Sequence, residues 1–434
     1  MSTLAAILIL ILALVIGIPV PFAFLASTAY LIFQFGYDPS FLLPYASSRM
    51  NSIVILAIPL FIVAGGLINR GNIGIRLVEL VELLVGRVRG GLGSVMVVAS
   101  AVFGSITGSA AATLSAIGTI LFPRLNEAGY PRGHSAALMA SASVLGMLIP
   151  PSSMMIMYAW IGRQSVLAAF LACFTPGIIL MVLLCCVNVW LMRNQDNLVR
   201  RPAYDSPRAY AKEFGRRTGR ATPALFMPFL ILGGIYGGFV TPTEAAGLAA
   251  LYAIPVGFWI YRGLTIRGFF QTVLDSAVMT GVIMVMLFAV LMLSRLYVME
   301  GVPDLIMDTL TQVSSNPLVL ILMINVFMII IGMLMDDLSS VMLSTPLLLP
   351  LVTDLGISPI QFAAILGVNL GMGNITPPTA PLLYLAGQLN RVPITETMRP
   401  TLYMLLFAWL PTLLLTTYVP EISLWLPRLL LGYG

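Results

Sequence analysis

The chain has 434 residues, of which 59% are hydrophobic and only 9% are charged, with a formal net charge of +5. Soluble domains are about a quarter charged, so this composition excludes an ordinary soluble protein and indicates a polytopic helical membrane protein. One histidine excludes a His-Glu-x-x-His metalloprotease, and three cysteines in one apolar run show no metal-ligand spacing.

The first half of the chain, residues 1–192, is predicted to form one structural repeat. Its predicted elements are scaffold spans within 4–69, an amphipathic interfacial arm at 71–89, a helical hairpin at 91–127, a broken helix at 134–161 and a span at 165–191. Each hairpin arm has about 15 residues, or ~22 Å of helix, which is too short for a ~30 Å hydrocarbon core. The hairpin is therefore expected to turn at Ser105–Ser109 and to leave the membrane on the side where it entered.

The second half, residues 223–434, repeats this order after a basic segment at 193–222. Its predicted elements are scaffold spans within 223–298, an interfacial arm at 301–315, a hairpin at 317–352, a broken helix at 359–387 and a span at 402–426. Five crossings in each half imply that the halves are inserted in opposite orientations. With 193–222 read as a cytoplasmic loop, most arginines fall on the cytoplasmic side, as the positive-inside rule requires.

Two breaks in the apolar pattern recur at matching places in the two halves. Pro150-Pro151 and Pro377-Pro378 are separated by the same offset as Gly146 and Gly373. Interrupted helices at membrane depth are tolerated only beside protein or a polar cavity, and they are the best sequence indication of a transporter's binding site.

The first hairpin tip and the first break together predict a site for a hard cation. Hydroxyl groups of Ser105 and Thr107 and backbone carbonyls of Gly146, Ile149 and Pro151 are the expected ligands. The alternative is that these small residues only allow close helix packing. The repeated pairing of a tip with a Pro-Pro break favours ion binding.

With these elements placed, the chain resembles the large membrane subunit of the tripartite ATP-independent periplasmic (TRAP) transporters over essentially its whole length. The motifs that carry the resemblance are Phe103–Thr113, Leu148–Ser152, Thr241–Ala246, Gly332–Asp337 and Asn374–Thr379. The resemblance implies an elevator-type fold and sodium-coupled uptake of an organic anion across the bacterial inner membrane. It also implies a small four-helix membrane subunit, expected here as a separate chain, and a periplasmic binding protein that delivers the substrate.

Pseudosymmetry and the resemblance imply a second sodium site formed by Gly332, Gly373, Thr376 and Thr379. The substrate anion is expected at the tips and exposed helix starts, because helix N-termini favour negative charge. The candidates for substrate binding are Ser109, Ser152, Asp336, Asp337 and Asn374.

The sequence allows alternative roles for several charged residues. Asp337 can cap the second arm of its hairpin, with the neighbouring Asp336 serving the ion or substrate path, or the roles can be exchanged. Arg295 can pair with the anion or reach the outer interface. His134 is interpreted as a surface residue at the start of a helix.

Two other functions compete with this interpretation. An intramembrane aspartyl protease needs carboxylates converging from different helices, whereas Asp336 and Asp337 are adjacent, so no enzymatic activity is expected. A stand-alone ion-coupled organic-anion carrier, working without a binding protein, is the nearer alternative.

Overall fold

The computed structural model describes residues 2–86, 90–195, 198 and 206–433, and within these ranges every regular element is helical. Part of the predicted interfacial arm, residues 87–89, lies outside the described residues. The same holds for 196–197 and 199–205 of the predicted basic loop. Among the described residues, six helices are long and apolar enough to cross a membrane, and a seventh span results if one bent pair is joined. An all-α polytopic membrane protein is thereby confirmed.

The first half contains eleven α-helices in the described residues. They are α1 (Ser2–Ile16), α2 (Val20–Phe35), α3 (Leu42–Met50), α4 (Ala57–Arg70), α5 (Ile73–Val85), α6 (Gly91–Thr107), α7 (Ala110–Glu127), α8 (Arg132–Ser143), α9 (Leu145–Leu148), α10 (Ser153–Ile161) and α11 (Val166–Met192). Short 3₁₀ turns precede α3 and α4. The short helix α3 has no counterpart among the predicted elements.

The second half contains another eleven α-helices in the described residues. They are α12 (Pro207–Tyr236), α13 (Pro242–Pro255), α14 (Ile266–Met299), α15 (Val302–Val313), α16 (Pro317–Leu334), α17 (Asp337–Asp354), α18 (Pro359–Gly373), α19 (Pro381–Asn390), α20 (Ile394–Met404), α21 (Leu410–Tyr418) and α22 (Pro420–Leu431). Five-residue π-helical segments extend α13 and join α20 to α21.

The basic segment at 193–222 is helical from Pro207 onward, which differs from the predicted loop. The Ser206 hydroxyl accepts a hydrogen bond from the Ala209 backbone N–H at 3.1 Å and caps the helix, and Pro207 suits its first turn. Glu213 then pairs with Arg216 and Arg217, three and four residues later, as helix geometry allows. Hydrogen bonds from these two guanidinium groups lower the pKa of Glu213 to about 2.

The last predicted span, 402–426, also differs in its bounds. The spanning stretch runs from Ile394 to Tyr418, and α22 is a separate helix. Pro420 occupies the first turn of α22, where a proline starts a helix well but has no N–H with which to continue the preceding one.

The helices pack in two groups. In one group, α4 packs against α13 and α14, and α2 packs against α1 and α14. In the other, the hairpins α6–α7 and α16–α17 pack against the broken helices α8–α10 and α18–α19, and α11 and α20–α22 pack against the same broken helices. We call the first group the scaffold and the second the core.

Each broken helix is tied at its end to the beginning of the other. The Tyr158 hydroxyl, near the end of α10, donates to the carbonyl of Pro359 at the start of α18, at 2.5 Å. The Asn390 amide, at the end of α19, donates to the carbonyl of Arg132 at the start of α8, at 3.0 Å. The two broken helices therefore run antiparallel, which is the relation expected of inverted halves.

His134 is buried, with 3% of its surface exposed, so its interpretation as a surface residue is wrong. Its Nε2 lies 3.0 Å from the Asn188 side-chain oxygen in α11. The Asn188 amide in turn donates to the Gly90 carbonyl at 2.8 Å. His134 thus ties α8 to α11 and to the start of the first hairpin, because a buried polar side chain needs such partners. In the second half, Gln361 donates to backbone carbonyls of α21 from the matching position.

Candidate functional site

The first hairpin turns at Gly108, between α6 and α7. This residue has a left-handed backbone (φ 63°), and a Cβ built on it would lie 2.8 Å from the carbonyl oxygen of Pro151. Its own carbonyl accepts a hydrogen bond from the Ser153 N–H at 3.3 Å. Only glycine combines a left-handed backbone with the absence of a Cβ beside the Pro151 carbonyl. The hydrogen bond from Ser153 holds the hairpin tip against the first break.

Oxygen atoms converge where this tip meets Gly146. The hydroxyls of Thr107 and Thr113 lie 3.2 Å apart, and Thr113 Oγ1 donates to the Ser109 carbonyl at 2.8 Å. A Cβ on Gly146 would lie 2.5 Å from Thr113 Oγ1 and 3.0 Å from the Ser109 carbonyl oxygen, and one on Gly104 would overlap the Cα of Gly146. Close glycine packing therefore brings the break up to the tip's oxygens.

Only some of the residues predicted for the first cation site lie at this junction. Thr107, Gly146 and the Pro151 carbonyl lie at this junction, whereas the Ser105 hydroxyl donates to the Val102 carbonyl of its own helix at 2.7 Å. The Ile149 side chain faces α11, since a Cβ on Gly177 would lie 3.0 Å from Ile149 Cγ1, and the role of the Ile149 backbone carbonyl stays a prediction. Thr113 was missed by sequence reasoning, although it stands one helical turn after Ser109 in the same motif.

The second hairpin turns between Leu334 and Asp337. Asp336 caps α17, accepting hydrogen bonds from the N–H groups of Leu338 at 3.2 Å and Ser339 at 3.4 Å. Asp337, for which capping was considered, instead accepts a hydrogen bond from the Asn374 side-chain amide. Capping therefore belongs to Asp336, because its extended backbone directs the carboxylate back over the first turn, and Asp337 is left facing the second break.

The second tip also meets its break through glycine. A Cβ on Gly373 would lie 2.7 Å from the Cα of Gly332. The Thr376 hydroxyl donates to the Met372 carbonyl at 2.6 Å, and its N–H donates to the Gly373 carbonyl at 3.0 Å. Thr379 is exposed on the far side of the Pro-Pro pair. The break thus meets the hairpin through Gly373 against Gly332 and through Asn374 against Asp337, whereas Thr379 lies at the surface.

The remaining predicted residues have local roles. Ser152 is buried and caps α10, accepting a hydrogen bond from the Met155 N–H at 3.4 Å. Arg295 lies over the ring of Tyr45 in α3, 5.4 Å from its centroid. Both Pro150–Pro151 and Pro377–Pro378 peptide bonds are cis.

A cavity of about 470 Å³ lies between the first hairpin tip and the scaffold. It is lined by residues of α4, the hairpin, α10 and α14. Its polar lining residues are Asn69, Arg70, Thr107, Ser109, Ser115, Ser153, Thr272, Asp275 and Ser276. Among the predicted site residues, the cavity thus takes in Thr107 and Ser109.

Arg70 and Asp275 both line this cavity and form an ion pair with each other. Arg70 Nη2 lies 2.9 Å from Asp275 Oδ2, and the Gln271 amide donates to Asp275 Oδ1 at 2.8 Å. Sequence reasoning missed this pair as part of a site. The available signal was Asp275 itself, a lone carboxylate within the apolar run of α14, because such residues are costly in a membrane and usually functional.

The two hairpins relate differently to α14. On the first hairpin's side the cavity separates Ser109 from Asp275 and Ser276, whereas on the second hairpin's side the Ser339 hydroxyl touches Met286 Sδ at 2.6 Å. Among the described residues no group of three or more His, Cys, Asp or Glu side chains is placed to hold a metal ion. A cation at either junction would therefore be held mainly by hydroxyl and carbonyl oxygens.

Comparison with known proteins gives consistent matches. Residues 7–422 match the family "Tripartite ATP-independent periplasmic transporter, DctM component". The chain is 31% identical over 419 residues to the sialic acid TRAP transporter large permease protein SiaM of Vibrio cholerae, covering 96% of each chain. It is 32% identical over 374 residues to the C4-dicarboxylate TRAP transporter large permease protein DctM of Pseudomonas aeruginosa, covering 86% of each.

One solved structure extends the comparison to the fold. The crystal structure of the Alcanivorax borkumensis YdaH transporter, described as having an unusual topology, matches with a TM-score of 0.63. The match covers 89% of this chain and 88% of that one at 16% identity, so it speaks to the fold alone.

Proposed function

Because this chain belongs to the DctM family of TRAP transporter large membrane subunits, we propose that it couples sodium entry to uptake of an organic anion by an elevator-like movement. The family makes it a multi-pass bacterial inner-membrane protein and a secondary transporter subunit for organic acids, not an enzyme. Sodium coupling, the movement and the partners are the proposed parts.

The observation that carries the proposal is the cavity between the first hairpin tip and the scaffold. It has the size of a small-molecule site, and its lining combines apolar side chains with nine polar ones. Alternating access needs such a site to face one side at a time. The cavity beside the first hairpin and the Ser339–Met286 contact beside the second are consistent with one of the two end states.

The packing supports a movement of the core against the scaffold. Scaffold helices pack mainly on one another, and the two broken helices are bonded to each other within the core. Such internal bonding lets each group move as a rigid body. In the proposed movement, α4 and α14 stay in place while both hairpin tips travel with the broken helices.

The two hairpin–break junctions are the proposed sodium sites. Hard cations take carbonyl, hydroxyl and carboxylate oxygens, and each of the two places offers oxygens of at least two of these kinds. At the first junction these are the Thr107 and Thr113 hydroxyls and the Ser109 carbonyl. At the second they are the Asp337 carboxylate and the carbonyls around Gly373, with Thr376 beside them.

Two partners complete the proposed system: a small membrane subunit and a periplasmic binding protein that delivers the anion. The test is reconstitution of this chain with both partners in proteoliposomes, followed by uptake of labelled carboxylates under an inward sodium gradient. We expect uptake only when all three components and the gradient are present. Uptake by this chain alone would instead identify a stand-alone carrier, and uptake indifferent to sodium would reject the coupling.

A further inference from the structure

The cavity beside the first hairpin carries its charged groups on the scaffold side alone. Its lining contains one cation, Arg70 at the end of α4, and one anion, Asp275 in α14. The hairpin and α10 contribute neutral hydroxyls, those of Thr107, Ser109, Ser115 and Ser153. An organic anion that enters this cavity therefore meets a single opposite charge, and that charge is already paired.

The Arg70–Asp275 pair is built so that it can open at low cost. Their side chains are 42% and 55% exposed, and ion pairs as exposed as this one add little to stability. Asp275 also keeps a second hydrogen bond, from Gln271, when the guanidinium leaves. Neither α4 nor α14 depends on the pair for contact, since a Cβ on Gly66 would lie 2.6 Å from Thr272 Cγ2.

We propose that Arg70 is the exchangeable counter-charge of the transported anion and that Asp275 is its built-in competitor. The guanidinium has a planar fork of N–H groups that matches a carboxylate in two-point geometry. While the cavity is empty, Asp275 accepts a hydrogen bond from one nitrogen of this fork, Nη2. A substrate carboxylate takes its place, and Asp275 then reclaims Arg70 and promotes release of the anion. This inference rests on the proposed function, because it presupposes an organic-anion substrate.

The proposal predicts effects of opposite sign from the two members of the pair. Arg70→Gln removes the counter-charge and leaves Asp275 to repel the anion, so the anion binds more weakly. Asp275→Asn removes the competitor and preserves the bond to Gln271, so the anion binds more tightly. A pair that only clamped α4 to α14 would be harmed alike by both substitutions.

The matched control is Arg76→Gln. Arg76 pairs with Glu79 at the same 2.9 Å, its side chain is 35% exposed, and it does not line the cavity. The effect of losing an ion pair of the same length in α5, away from the cavity, is thereby distinguished from the effect of losing the counter-charge.

Binding is measured on the chain together with its small subunit in nanodiscs, with sodium present. The labelled probes are succinate, pyruvate, gluconate, benzoate and N-acetylneuraminate, each tested separately. For the anion that binds, Arg70→Gln is expected to raise the half-saturating concentration about tenfold or more, because a hydrogen bond to a charged group contributes about 1.5–3 kcal/mol. Asp275→Asn should lower that concentration, and Arg76→Gln should leave it unchanged.

A chemical rescue tests the charge itself. Arg70→Cys is made in a chain whose native Cys173, Cys185 and Cys186 are replaced by alanine. Modification with a cationic ethylammonium methanethiosulfonate should restore binding, whereas the neutral methyl reagent should not. Equal restoration by both reagents would show that size rather than charge matters at this position, and would overturn the proposal.

The remaining outcomes separate this inference from the proposed function. Weakening by both Arg70→Gln and Asp275→Asn, reversed in the charge-swapped chain with Arg70→Asp and Asp275→Arg, would identify a structural clamp. Wild-type binding combined with unchanged affinity in Arg70→Gln would reject the role of Arg70 and leave organic-anion transport standing. Absence of wild-type binding across the whole panel would count against organic-anion transport, and the inference would fall with it.

Discussion

The side-chain amide of Asn374 donates a hydrogen bond to the carboxylate of Asp337 and so joins the second broken helix to the second hairpin tip. Asp337 is thereby distinguished from its neighbour Asp336, which caps α17 through the Leu338 and Ser339 N–H groups. Two adjacent carboxylates have different tasks because the turn directs one along its own helix and the other across to the break.

We expect Asp337→Ala to reduce sodium-driven uptake about tenfold or more, because a lost hydrogen bond to a charged group is worth about 1.5–3 kcal/mol. The matched control is Asp336→Asn, since asparagine caps helices about as well as aspartate. Uptake and its sodium dependence are measured in proteoliposomes at equal protein content. An equal loss of uptake in both variants would show that uptake depends on both carboxylates alike and not specifically on the hydrogen bond between Asp337 and Asn374.

The hydroxyl of Thr113 is expected to matter more for sodium than that of Ser105. Thr113 meets Thr107 and the Ser109 carbonyl at the junction, whereas Ser105 bonds within its own helix. Thr113→Val keeps the side-chain shape, and it should raise the sodium concentration for half-maximal uptake roughly tenfold. Ser105→Ala should have a smaller effect.

Thr222→Ala provides the control for these hydroxyl substitutions. Its hydroxyl donates to the Thr218 carbonyl at 2.9 Å, the same kind of bond that Ser105 makes, but in α12 and not in a hairpin or a broken helix. Unchanged sodium dependence in Thr113→Val, with normal expression, would show that the Thr107 and Thr113 hydroxyls serve helix packing and not sodium binding.

Gly146→Ala is expected to separate the first break from the hairpin tip. The new Cβ would lie 2.5 Å from Thr113 Oγ1, and overpacking of this kind destabilises by about 1–3 kcal/mol. Thermal unfolding in detergent should show the loss, and uptake should fall with it. Gly281→Ala, in α14 with nothing within 4 Å of the added Cβ, should be neutral or stabilising. Similar unfolding temperatures for the two variants would contradict a tight junction.

Opposite orientation of the two halves is testable by cysteine labelling. In a chain without its native cysteines, Lys212→Cys should react with a membrane-impermeant maleimide only from the cytoplasm, and Asp304→Cys only from outside. Both positions are exposed, so access is decided by the membrane rather than by burial. Labelling of both from the same side would rule out inverted halves.

The sequence alone determined the all-α membrane class and predicted the two hairpins and the two broken helices. Hydropathy, short apolar arms and Pro-Pro pairs act through local chemistry, so α6–α7, α16–α17 and the breaks were placed close to their observed bounds. Charged segments were less predictable. The polarity of the segment before α12 indicates a loop, whereas the Ser206 cap and the Glu213–Arg217 spacing favour the helix that is observed.

Only the tertiary structure decided which of these residues meet. Tip oxygens gather around Gly146 because glycine lets two backbones approach, and no local pattern reveals that Thr113 rather than Ser105 faces the contact. The Arg70–Asp275 pair joins residues 205 positions apart in the chain. Such a pair depends on how α4 packs against α14, because a side chain's partner is set by the relative placement of whole helices and not by the residues adjacent to it in sequence.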